Sequence, residues 1–172
     1  MQYFTDELWT RINSEDYNTK MLAQEQWNRN KEAYSIRFKS LKGRFSKKTF
    51  DIFSKKSFHD YNLKEIQIPH KDFGQPNPIT VSVILTNMEE VWTLTYKKVS
   101  KIGINFVEEK TPYNYQRGFD DLGYMEFLDV NTNVLSHEIL FASGATILVH
   151  FANKNVFISK ESVNFISSAK SK

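Results

Sequence analysis

The 172-residue chain has no cysteine, so no disulfide can staple it and no thiolate can hold a metal. That absence fits a reducing compartment. Long apolar runs are missing as well. The longest, Ala145 to Phe151, is strand-sized and broken by Thr146 and His150, well short of the roughly 20 residues of a membrane-spanning helix. Met1 to Trp9 carries acids where a secretion signal would carry bases and then a long apolar core, so the sequence reads as a soluble, cytoplasmic protein with no membrane partner. A large excess of one charge is also absent, and a net charge of +3 names no partner by itself. There is no glycine-rich phosphate loop, no Walker sequence, no His-Glu-x-x-His helix and no Gly-x-Ser-x-Gly elbow, which tells against an enzyme and indicates no cofactor. No internal repeat or low-complexity tract is present.

The length suits one domain spanning residues 1–172, and the wealth of phenylalanine and tyrosine points to an aromatic core or pocket. The first part, 1–57, reads as helices. Thr5 can cap a short helix that ends near Asn13, with Asp6 and Glu7 in its first turn. Ser14 can cap a second that runs to about Leu41. It carries Ala23, Trp27, Tyr34, Phe38 and Leu41 along one side and polar residues elsewhere, so its core stripe is narrow. Ser46 can cap a third, with Phe45 stapled onto Phe50.

Residues 62–159 read as strands. Ile79, Val81, Val83 and Leu85 alternate, as do Trp92, Leu94 and Tyr96, and then Ile102, Ile104 and Phe106. Lys97 to Ser100 is a polar interruption that reads as a bulge. A meander follows from Leu122 to Ser159. A three-residue loop at Asn131–Asn133 pairs Phe127 with His137, Met125 with Ile139, and Gly123 with Phe141, which puts Met125, Phe127, Ile139 and Phe141 on one core face. A two-residue Ser143-Gly144 turn then places His137 beside His150. Residues 160–172 read as a small helix or a basic tail. Helices before strands give an α+β fold: N-terminal helices on a strongly curved antiparallel sheet, or a partly open barrel, of about seven to eight strands.

Four constellations carry chemistry. From Arg37 to Lys56 eight positive residues face one acid, with Phe38, Phe45, Phe50 and Phe53 interleaved. Arg44, Lys47 and Lys48 centre this basic patch, and lysines beside aromatics are how single-stranded nucleic acid is held. The plainer reading is two solvated helix faces. His137 and His150, if paired, sit close enough to share a metal but lack a third ligand, so no metal site is assigned. Glu126 lies across from Glu138, and the pair reads as solvent-facing and relaxed by lysines. His59 and Asp60 point apart if the chain is extended, so they read as a structural junction and not as a dyad.

Met1-Gln-Tyr-Phe-Thr-Asp-Glu-Leu-Trp9, Phe58-His59-Asp60 before a strand, and His137-Glu138-Ile-Leu-Phe141 followed by Ser143-Gly144 resemble the bacterial domain-of-unknown-function family numbered 4085. The resemblance implies a bacterial cytoplasmic protein and brings no catalytic residues with it. The leading expectation is a non-enzymatic binding or protein-interaction module, with His59, Asp60, Tyr113, Tyr115, Phe119, His137 and His150 as binding residues and an unidentified protein as partner. Nucleic-acid binding through 37–56, and a small-ligand binder or enzyme with a pocket in the sheet, are the alternatives.

Overall fold

The computed structural model describes residues 1–107 and 118–162. Its helices start where side chains can satisfy free backbone amides. Thr5 accepts from the Leu8 N–H and opens α1 (Asp6–Ile12). Asp16, not Ser14, accepts from Thr19 and opens α2 (Tyr17–Ser40), while the Ser14 hydroxyl accepts from the Asp16 N–H. Ser46 accepts from Thr49 and opens α3 (Lys47–Lys55). The α2 stripe is buried at Ala23 and Trp27, half-buried at Tyr34 and Phe38 and followed by the buried cap residue Leu41, while most of the helix is exposed.

Eight strands follow among the described residues: β1 (Asn62–Gln67), β2 (Val81–Thr86), β3 (Glu90–Tyr96), β4 (Val99–Asn105), β5 (Leu122–Asp129), β6 (Val134–Phe141), β7 (Thr146–Ala152) and β8 (Val156–Ser162). They form two antiparallel sheets, ordered β1-β2-β3-β8 and β4-β7-β6-β5. The fold is therefore α+β, but the expected single curved sheet or partly open barrel is replaced by two four-stranded sheets that do not close. The chain crosses between sheets at one corner. β3 passes into β4 through Lys97–Lys98, and β7 into β8 through Asn153–Asn155. There Lys97 N–H bonds to the Asn155 carbonyl at 2.8 Å. The polar interruption at Lys97 is thus the corner itself, with a register shift between Val99 and Lys101 beyond it. On the other side a bridge joins Asn62 to Asp121.

The first hairpin has the expected register at Phe127–His137, Met125–Ile139 and Glu126–Glu138. Beyond Tyr124 it departs: Leu122, not Gly123, faces Phe141, because Gly123 is the extra residue of a bulge. The second hairpin is displaced by one residue, so Leu140 faces Thr146, His137 faces Val149, and His150 faces Ser136. The loop has three residues. Gly144 alone takes a left-handed φ of 81°, its N–H bonds to the Phe141 carbonyl, and the Phe141 N–H bonds to Ala145. A type I turn ending in a left-handed glycine fits a Ser-Gly pair as well as a two-residue turn does, and it adds one residue to the loop.

The main core lies between the sheets. Val81, Val83, Leu85, Leu94 and Tyr96 meet Phe127, Leu135, Ile139, Ile147 and Phe151, and Phe45, Phe50 and Phe58 pack against the same cluster. A second, smaller core lies elsewhere: Phe4, Leu8, Ala23 and Trp27 bring the N-terminal segment, α1 and α2 together around Tyr124.

Candidate functional site

Strand β5 is an edge, and an edge leaves alternate backbone groups unpaired. At one end the gap is closed by the chain before β1: Leu122 N–H bonds to the Tyr61 carbonyl at 2.7 Å, and Asp60 N–H to the Leu122 carbonyl at 3.0 Å. At the other end Phe127 N–H bonds to the Tyr34 hydroxyl of α2 at 2.8 Å. Burial keeps Tyr34 a neutral phenol, with its pKa raised far above the usual range although the Phe127 N–H pulls it the other way. Since Phe127 N–H points away from β6, the alternation turns the N–H and C=O of Met125 the same way. Between the two closures lies a recess of about 140 Å³, lined by residues 122–125, by Phe38, Phe53, Phe58 and Phe127, and at its rim by Lys56, Ser57, His59 and Tyr124.

The rim is built by a tight turn. Asp60 has a left-handed φ of 66°, which folds the dipeptide back so that His59 Nδ1 meets Asp60 Oδ1 at 2.7 Å. The two side chains expected to diverge therefore converge, because the chain is not extended there. The His59 ring packs edge-on against Tyr124 at 5.4 Å between ring centres. Burial, and next the Asp60 charge, push the Tyr124 phenol up. The Ser57 hydroxyl accepts from the His59 backbone N–H at 3.2 Å.

Lys56 is fixed from behind. Glu90 on β3 accepts from Lys56, from Lys160 on β8 and from the Tyr61 hydroxyl. Lys160 first, then Lys56 and Tyr61, hold the Glu90 carboxyl far below the usual range; the Trp92 indole, which completes no hydrogen bond of ordinary geometry, adds a smaller pull. Burial alone would lower Lys56, but its bonds to Glu90 and Tyr61 leave its pKa raised. The ammonium also lies over the Tyr61 and Trp92 rings, at 4.9 and 5.6 Å from their centres.

The other expected site residues do not gather here. His137 is fully buried between the sheets, with Nδ1 at 2.5 Å from the Tyr96 hydroxyl and its ring stacked on Phe127 at 3.8 Å. Among the described residues its Nε2 has no partner. Burial pushes its pKa down to about 3. His150 lies on the opposite face of its sheet, half-buried, so the two histidines cannot share a metal. The space a pocket would need at His137 is filled by Phe53, Phe127 and Tyr96. Among the described residues no three His, Asp or Glu side chains converge as metal ligands. Tyr113 and Tyr115 lie outside the described residues. Phe119 is half-buried, packed between Phe106 and Phe141.

The two arginines of the basic block are structural. Arg44 donates to the Asn131 and Val134 carbonyls and to Asn153, tying two turns together. Arg37 pairs with Asp129. Phe38, Phe45 and Phe53 pack against Phe127, and Phe50 stacks on Phe38, so none of the four is presented for base stacking. Lys47 and Lys48 stay exposed. Glu126 is also not where a solvent-facing residue would be: it is 1% exposed and accepts from the backbone N–H groups of Gln2, Tyr3 and Phe4 at 2.6–2.7 Å. Glu138 meets the Met1 amine at 2.5 Å. The N-terminal segment, not lysine, relieves the cross-strand pair.

Sequence reasoning missed Lys56, Tyr124 and the Glu90 clasp. Nothing local marks them, since they come from α3, β5, β3 and β8; only Gly123 in an otherwise bulky strand hinted at a bulge. No protein-family model matches the chain, and no curated protein matches it.

Proposed function

We propose that the protein is a non-enzymatic binding module whose recess on the β5 edge takes one apolar or aromatic side chain from an extended segment of a protein partner. The observation that carries this reading is the size of the recess together with its backbone. A volume of about 140 Å³ holds one aromatic ring, whereas small-molecule sites run from roughly 300 to 1,000 Å³. Met125 offers one donor and one acceptor at an unpaired edge, the means by which sheets add a peptide strand. Lys56 and His59 at the rim suit a polar or acidic flank.

N-acetyl-phenylalanine methylamide, which supplies both the ring and one peptide edge, is the probe. Titration followed by ¹H–¹⁵N NMR is expected to move the amides of Met125, Gly123 and Phe58 in a saturable way. Ser57→Trp, at an exposed rim position, is expected to block the recess and abolish those shifts. Absence of any shift at Met125 in the wild-type protein would sink the proposal.

A further inference from the structure

We infer that the corner where the sheets exchange strands carries a second binding site, for the phosphate group of a small phosphorylated molecule. A cleft of about 310 Å³ opens there. Lys71, Asn77 and Thr80 reach it from the β1–β2 connection, Lys97 and Lys98 from the turn between β3 and β4, and Asn155 from the turn between β7 and β8. Among the described residues the lining holds three ammonium groups and no carboxylate. Among the described residues none of the three lysines forms an ion pair. Asp72 follows Lys71 in the chain but is not part of the lining.

Three like charges facing one cleft repel each other, and a bound dianion reverses the sign of that interaction. The backbone adds to the cost. Asn77 and Lys98 have left-handed φ values of 51° and 50°, a conformation that side chains other than glycine adopt unfavourably. Among the described residues, two of the five non-glycine residues in that region thus lie in this one lining. The available hydrogen-bond donors suit an oxyanion: the lysines, the Thr80 hydroxyl and the Asn77 amide. The Asn155 side-chain nitrogen is already given to the Asn153 carbonyl at 2.8 Å. Lys97 also lies 5.1 Å above the ring centre of Phe157, an exposed aromatic surface beside the charge.

The three lysines line one concave space. That arrangement fits a compact, doubly charged phosphate monoester better than the evenly spaced, singly charged phosphates of a nucleic-acid strand. The inference is independent of the recess on β5, which shares no residue with the cleft.

The probes are inorganic phosphate and phenyl phosphate, titrated at constant ionic strength against chloride and followed by ¹H–¹⁵N NMR. Saturable shifts are expected at the amides of Lys97, Lys98 and Thr80, with phenyl phosphate binding more tightly through Phe157. Lys71→Gln with Lys98→Gln is expected to weaken binding about tenfold per lysine, and to leave the melting temperature in chloride unchanged or slightly raised. If the double variant fails to fold, Lys97→Gln carries the same expectation for affinity. The inference is overturned if chloride reproduces the shifts, or if none saturate. It is likewise overturned if a single-stranded oligonucleotide or anionic lipid vesicles bind the corner and inorganic phosphate does not compete.

Discussion

The two sheets are alike in strand number and differ in how they meet their surroundings. In the β1-β2-β3-β8 sheet, β2 and β3 alternate strictly between buried residues and partly exposed ones such as Ser82, Thr93 and Thr95. One face meets the core and the other meets water. In the second sheet β5 and β6 are buried on both faces. There the N-terminal segment and α2 cover the outer side, with Asn30 holding the Tyr3 carbonyl and Glu126 holding three backbone amides. A polar residue on the first sheet's outer face is solvated, whereas one on the second must find partners inside the protein.

The group between the sheets gives the largest expected effect. Burial keeps His137 neutral down to about pH 3, while in the unfolded chain it titrates at its ordinary value of 6.5. Between these values the unfolded state binds more protons, so stability falls as pH is lowered. The slope is up to about 1.4 kcal/mol per pH unit, for a loss on the order of 5 kcal/mol across the window. Above pH 7 this group contributes no pH dependence. Urea midpoints at pH 7 and pH 4.5 read the slope, and replacing Tyr96 and His137 together with phenylalanine should flatten it. An unchanged slope would mean that His137 is not held neutral.

The outer faces come next. Glu126→Ala strips three backbone N–H groups of their acceptor and is expected to cost about 3 kcal/mol, whereas Ser82→Ala on the other sheet should cost less than about 0.5 kcal/mol. Equal costs in urea unfolding would break the contrast between the sheets. The smallest of the informative effects belongs to the basic block. Arg44→Ala should cost about 1.5 kcal/mol through the turns it ties, and Lys47→Ala should be close to neutral. Thermal melts of the two variants separate a structural arginine from a solvated lysine.

Much of this contrast was legible where a strand answers to a single environment. The alternation of Val81, Val83 and Leu85, and of Trp92, Leu94 and Tyr96, names the buried face directly. The Asn131–Asn133 loop was legible too, because only one register places Met125, Phe127 and Ile139 together. The Ser143-Gly144 loop was not. Both loop lengths accept the same two residues, and the observed one is held by distant contacts: the Ser143 hydroxyl donates to the Phe119 carbonyl, and Ala142 N–H to Asp121. That one-residue difference moved His150 to the opposite face.

The candidate site followed the same division. His59 and Asp60 stood out by residue type, but their meeting depends on the left-handed backbone turn at Asp60. What the sequence determined by itself was local: helix caps at Thr5 and Ser46, the buried stripe of α2, the alternating strands and the α+β class, all set by interactions within a few residues. What the tertiary structure alone decided was the splitting of the strands into two sheets, the burial of Glu126, the gap left at Met125 and the meeting of three lysines at a corner. Each of these depends on groups far apart in the chain, and local propensity carries no information about which distant backbone amide or charge will arrive.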